Sequence, residues 1–235
     1  MFNAIIQAHD LFKTAGFDYA ICGGFSLDMF AGKELRTHGD FDIVVFKEDK
    51  HRAVNFLMNS GWPAYGRFME EGKPATQYLF YKIKDITDSL WDDCKNVWAI
   101  KPHCLPEMYK LDRLQGEVYS YKPCEWRVQD LEFIELEIDA REGNDFVLKE
   151  NIRITRQLDK AILYRDGIPY LAPEIVLFYK SDLFSSTHPY VKPKTKHDFK
   201  AIMPLLSDER RKWLLDAIHA AYPDGYGWLD GLLNI

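Results

Sequence analysis

The chain has 235 residues, 47% of them hydrophobic and 14% aromatic, which is enough for one large packed domain or two small ones and too much for a disordered polymer. A net charge of −6 and a pI near 5.7 argue against non-specific binding to long nucleic acid, which needs clustered cations to displace phosphate counterions; a small phosphorylated ligand neutralised by a metal is compatible with both values. No apolar run approaches the ~20 residues of a membrane helix, and "MFNAIIQAHDLFKTAGF" is too polar for a signal peptide, so the expected location is the cytoplasm, without a membrane partner.

Phe2, Ile5, Ile6, His9, Leu11 and Phe12 recur at near-helical spacing and Gly16 follows as a stop, predicting an amphipathic helix over residues 2–15. "YAICGG" reads as a short buried strand cut off by Gly23 and Gly24, and "FSLDMFAGK" as a helix of about two turns ended by Gly32. "FDIVVF" is a β-branched and aromatic run of strand length, followed by a helix over about 48–60 that ends at Gly61. "TQYLFYKIK" adds a further strand. Residues 85–125, with Pro102, Pro106, Pro123 and scattered aromatics, sustain no period and read as an irregular insertion or a set of short elements.

In "LEFIELEID" apolar and acidic residues alternate strictly from 134 to 139, the pattern of a half-buried strand with Glu135, Glu137 and Asp139 on one face. Another short strand is expected near 146–148. From about 170 the pattern is helical: "APEIVLFYKSDLF" opens with Pro173 in a first turn, "KHDFKAIMPLL" is broken by Pro204, and "DERRKWLLDAIHAAY" carries an apolar stripe. The expected class is α+β: a small mixed sheet with helices in a domain over 1–160, and a helical C-terminal region over 161–235.

Cys22, Cys94, Cys104 and Cys124 lack paired C-x-x-C spacing and read as reduced, structural cysteines; His103 beside Cys104 invites a metal reading, but the ligand spacing is poor. Gly23 and Gly24 sit where a strand turns into a helix, and glycine there permits close approach by a phosphate to the helix N-terminus, although a plain turn is the blander explanation. Asp40 and Asp42 flank Phe41 at the mouth of a strand. As residues i and i+2 they share a side and can converge on a hard cation such as Mg²⁺, while Phe41 and Ile43 face the core; two solvated acids at a strand start are the plainer reading. A third carboxylate, as ligand or base, would come from Glu137, Glu135 or Asp139, with the first two preferred because they lie inside the strand. Arg36 and His38 could reach phosphate or hold the loop. Lys180 and the group Lys192, Lys194 and Lys196 could balance a triphosphate or form a solvated face.

Together, "GGFSLDMFAGKELRTHGDFDI" resembles the nucleotidyltransferase superfamily typified by DNA polymerase β, most closely its aminoglycoside and lincosamide adenylyltransferase branch. The pattern consists of Gly23, Gly24, Phe25, Ser26, Leu27, Asp28, Gly32, Arg36, His38, Asp40 and Asp42. Phe25 stands where tryptophan is more usual and Ser26 where alanine is. The C-terminal stretches from "GIPYLAPEIVLFYK" onward resemble the helical part of adenylyltransferase-like proteins, whereas residues 62–130 match poorly.

The resemblance implies that Gly23 and Gly24, with Ser26, Arg36 and Lys180, bind a nucleoside triphosphate such as ATP. It implies that Asp40 and Asp42 hold Mg²⁺ with Glu137 or Glu135 as the third acid. It further implies that a nucleoside monophosphate passes to a hydroxyl of a small molecule, with an aminoglycoside or lincosamide antibiotic as the candidate acceptor. A transferase acting on protein or tRNA, and a catalytically silent scaffold of the same fold, are the alternatives.

Overall fold

The computed structural model describes residues 3–69, 78–87, 89–94, 96–105, 107–110, 117–121, 130–148, 154–182 and 193–223; Phe2, Cys124 and Lys192 lie outside them. In chain order the elements are α1 (Asn3–Phe12), β1 (Tyr19–Ile21), α2 (Gly23–Ala31), β2 (Asp42–Phe46), α3 (Lys50–Asn59), β3 (Ala64–Met69), β4 (Tyr78–Lys82), β5 (Asn96–Ile100), β6 (Met108–Lys110), β7 (Val118–Tyr121), β8 (Phe133–Glu142), β9 (Asp145–Val147), β10 (Thr155–Gln157), α4 (Leu158–Ala161), β11 (Ile162–Arg165), β12 (Ile168–Leu171), α5 (Pro173–Asp182), α6 (Pro193–Ile202) and α7 (Asp208–Ala221). The mixture of sheet and helices bears out the α+β class. Among the described residues no helix is long and apolar enough to cross a membrane.

The chain forms two compact units, Met1–Tyr19 with His38–Ile138, and Ala20–Thr37 with Asp139–Ile235. In the second unit the segment 20–37 groups with residues 139–235.

In the first unit the strands run in the order β2-β8-β5-β3-β4-β7-β6. From β8 outward every neighbouring pair is antiparallel, with Ile100 opposite Phe133 and Asn96 opposite Glu137 in the β5–β8 ladder. β2 joins through the Glu135 N–H, which donates to the Phe41 carbonyl at 2.9 Å. The described residues of the region without a sequence period thus include the short strands β5, β6 and β7. β5 is buried at all five positions, and a strand covered on both faces has no reason to alternate. α1 buries Ala4, Ile5, Ala8 and Phe12, the helical stripe expected of it. The buried Lys50 ammonium donates to the carbonyls of Trp91 and Cys94 at 3.1 and 2.8 Å, fixing the β4–β5 connection against α3; loss of solvent lowers its pKa.

In the second unit β1 pairs in parallel with β12, and β12 is antiparallel to β11. The β11–β12 hairpin turns at Asp166 and Gly167, both with positive φ (53° and 80°), the Asp-Gly signature of a type I′ turn. β9 links the end of β8 to β10. α5 carries four consecutive fully buried or nearly buried residues, Ile175 to Phe178, so it is enclosed on all sides and lacks an amphipathic period. A buried ion network joins β10, α5 and α7. Glu174, 0% exposed, accepts from Arg156 at 2.7 Å and Arg210 at 2.6 Å, and Arg156 reaches Glu209 at 2.7 Å.

Gly66 in β3 marks the tightest close approach in the first unit: a Cβ there would lie 2.6 Å from Cys94 Sγ and 3.2 Å from Trp91 Cβ. Gly66→Ala is expected to lower stability by about 1–3 kcal/mol through overpacking. In a urea-denaturation double-mutant cycle, Cys94→Ala should recover part of that loss, since it removes the atom in the way.

Candidate active site

The carboxylates of the first unit gather at the β2–β8 pair. Phe41 and Ile43 are fully buried while Asp40 and Asp42 are half-buried, the alternation that a strand imposes. The bond from the Glu135 amide to the Phe41 carbonyl sets Glu135 next to the Asp40–Asp42 stretch. Glu135 and Glu137, two apart on β8, share a face. Asn96 on β5 donates from Nδ2 to Oε1 of both, at 2.9 Å to Glu135 and more closely to Glu137. Arg67 of β3 pairs with Glu135 Oε1 at 2.8 Å.

Burial, followed by the charge of Glu137, pushes the Glu135 carboxyl up to about 7. Arg67 opposes this and Asp40 adds to it. Asp40, Glu135 and Glu137 thus share one electrostatic neighbourhood, with Arg67 acting against the rise at Glu135. Oxygen donors carrying excess negative charge are the donor set of a hard divalent cation. Asp139, the remaining candidate on the same strand, is 2% exposed and accepts a hydrogen bond from the Tyr179 hydroxyl at 2.8 Å, within the second unit.

The glycine turn belongs to the second unit. α2 begins at Gly23 itself rather than after the glycine pair, and Gly23 takes φ 62°, a left-handed value that costs glycine least, directly after the extended Cys22. Cys22 makes no side-chain cap hydrogen bond to α2. Ser26 is wholly buried and its hydroxyl donates to the Gly23 carbonyl at 3.0 Å, bracing the turn from within.

The following loop is pinned by α2 and α6. Asp28 accepts from the Leu35 amide at 3.0 Å, and the His197 ring lies 3.0 Å from the Leu35 carbonyl. Arg36 meets Asp198 with Nε at 2.8 Å and Nη2 at 3.0 Å, and Lys180 meets the same carboxylate at 3.0 Å. The two cations predicted to serve the nucleotide therefore converge on one acid. Burial alone would raise the Asp198 carboxyl, but the Arg36 hydrogen bond and the charges of Lys180 and Arg36 outweigh it and hold it low.

Asp198, Asn96 and Arg67 are site neighbours that the sequence reading missed. Asp198 left a signal, since it falls on the buried stripe Thr195, Asp198, Phe199, Ile202 of α6, where an acid needs a partner. Asn96 and Arg67 left none, because their relation to Glu135 exists only through strand pairing.

Two measurements follow from these environments. A raised Glu135 means that the folded metal-free chain binds a proton there more tightly than the unfolded chain. This contribution to stability is fully present below the ordinary value of 4.5 and is lost as pH rises through about 7. Denaturation midpoints in chelator-containing buffer should fall across that window, and Glu135→Gln should flatten the fall. Asp198→Asn leaves Arg36 and Lys180 without their shared counter-ion and should cost about 3 kcal/mol in urea denaturation near neutral pH. That difference should shrink as acid protonates Asp198.

The family described as aminoglycoside-2''-adenylyltransferase matches residues 4–67, a span that contains the Gly23–Asp42 pattern. No curated protein matches the chain by sequence. Among solved structures, the solution structure of the antibiotic-resistance factor ANT(2'')-Ia is similar at 13% identity and TM-score 0.50, covering 94% of this chain and 92% of that one. ANT(2'')-Ia in complex with adenylyl-2''-tobramycin gives 11% identity and TM-score 0.49, covering 92% and 97%. The lincomycin-bound lincosamide antibiotic adenylyltransferase LnuA gives 13% identity and TM-score 0.49, covering 88% and 98%. The chain thus resembles the aminoglycoside-2''-adenylyltransferase family over residues 4–67 and shares the fold of ANT(2'')-Ia.

Proposed function

We propose that this chain is a nucleotidyltransferase that moves AMP from ATP, with Mg²⁺, onto a hydroxyl of a small molecule of the aminoglycoside or lincosamide class. The observation that carries the reading is the proximity of Asp40, just before β2, to Glu135 and Glu137 on the neighbouring strand β8, with Asp42 opening β2. Carboxylates gathered in this way suit a bound divalent cation. The family match over residues 4–67 supports the substrate class.

In this reading Asp40, Asp42 and Glu137 hold the metal. When bound, Mg²⁺ offsets phosphate charge and polarises the α-phosphoryl group. The amides of Gly23 and Gly24 receive phosphate oxygens at the positive end of α2, with Ser26 bracing that turn. Arg36 and Lys180 supply positive charge, held in place by Asp198. Glu135, steadied by Asn96 and Arg67, takes the proton of the acceptor hydroxyl. The hydroxyl oxygen forms a bond to the α-phosphorus, the bond to the β-phosphate oxygen breaks, and pyrophosphate leaves with the electron pair. The negative net charge suits a polycationic acceptor.

Incubation of the protein with ATP labelled at the α-phosphate, Mg²⁺ and a panel of aminoglycosides and lincosamides should transfer label to at least one compound. The Asp40→Asn, Asp42→Asn variant should lose at least about a hundredfold in rate, the scale expected when metal ligation is disrupted. Undiminished transfer by that variant would overturn the metal assignment, and no transfer to any compound would overturn the acceptor class.

A further inference from the structure

The opposite end of the β5–β8 ladder carries a second group of metal-binding side chains, independent of the proposed transferase chemistry. Beyond the last register pair, Ile100 with Phe133, the ladder adds one more bond, from the Lys101 amide to the Glu132 carbonyl at 3.0 Å. The chain then enters a 3₁₀ turn, Pro102–Cys104, closed by the Cys104 amide on the Lys101 carbonyl at 2.9 Å. Proline at the start restricts φ, so the turn is narrowed before it folds. Both sides of the group are thus anchored by backbone hydrogen bonds at the same residue, Lys101.

One ligand atom from each of His103, Cys104 and Glu132 can be chosen so that all lie within 4.8 Å of one another. Glu132 is buried, Cys104 partly buried and His103 exposed, which gives the group a closed floor and an open side. Cys104 also packs against the cluster of Tyr65, Phe80, Trp98, Ile100 and Phe133, so its sulfur is held by the core and not by a mobile loop. A thiolate sulfur, an imidazole nitrogen and a carboxylate oxygen form a borderline donor set, suited to Zn²⁺ and Co²⁺ and unsuited to Mg²⁺.

We infer that His103, Cys104 and Glu132 bind one Zn²⁺-class divalent ion, with a fourth position left to water or an exogenous ligand, and that the ion ties the Pro102–Cys104 turn to the start of β8. Binding releases the thiol proton, so affinity rises with pH until the thiol is ionised. Chain order conceals the site because His103 and Cys104 are adjacent, whereas Glu132 returns only through the β5–β8 pairing.

Titration of the metal-free full chain with Co²⁺ tests this directly, since thiolate ligation produces a near-ultraviolet charge-transfer band. The band should saturate at one equivalent, vanish on addition of Zn²⁺, survive excess Mg²⁺ and remain in the Asp40→Asn, Asp42→Asn variant. Cys104→Ser should abolish it. His103→Ala, at an exposed position that folding tolerates, should weaken Co²⁺ binding at least about tenfold. Absence of the band, or a band unchanged in either Cys104→Ser or His103→Ala, would overturn the site, as would its loss in the Asp40→Asn, Asp42→Asn variant.

Discussion

Repulsion among carboxylates is the constraint around which the first unit is arranged. Glu135 and Glu137 share one face of β8 beside Asp40, and burial of Glu135 strengthens the repulsion it feels. Arg67 and Asn96 offset part of this, and each reaches the acids because β3 and β5 lie next in the sheet. An arrangement so unfavourable to charge is difficult to explain as packing alone, since apolar residues of the same size would be cheaper to bury there. The same β5–β8 pairing that brings Asn96 to Glu137 also brings the Pro102–Cys104 turn to Glu132, so one ladder carries a hard, all-oxygen group at one end and a mixed sulfur, nitrogen and oxygen group at the other.

The second unit answers a different problem, that of holding cations in place. Arg36 and Lys180 come from a loop and a helix far apart in the chain, and Asp198 on α6 collects both. Its carboxylate lies on the buried stripe of that helix, where ion pairing is the condition for keeping it charged. Glu174 plays the corresponding part between β10, α5 and α7. In both cases a single buried acid fixes two basic side chains, which gives directional order to groups that would otherwise sample many rotamers.

The legible parts of the sequence were those in which a local pattern has a local cause. The strand at "FDIVVF", the alternating acids of β8, the stripe of α1 and the Pro173 start of α5 all follow from periodicity and terminal chemistry. β5 shows no period because it is covered on both faces, whereas the β11–β12 hairpin carries a local signal in Asp166–Gly167. The start of α2 at Gly23 instead of after Gly24 is a backbone detail that spacing cannot report.

By itself the sequence determined which residues could carry the chemistry: the glycine pair, the Asp40–Phe41–Asp42 start of a strand, and a strand with every acid on one side, because period and residue type are local properties of the chain. Tertiary structure alone decided which of those acids meet. Glu135 and Glu137 join Asp40 through strand pairing, while Asp139 turns to Tyr179 and the cations Arg36 and Lys180 to Asp198. The physical reason is that hydrogen-bond register and ion pairing act between residues remote in sequence, and no local pattern encodes which remote partner a side chain finds.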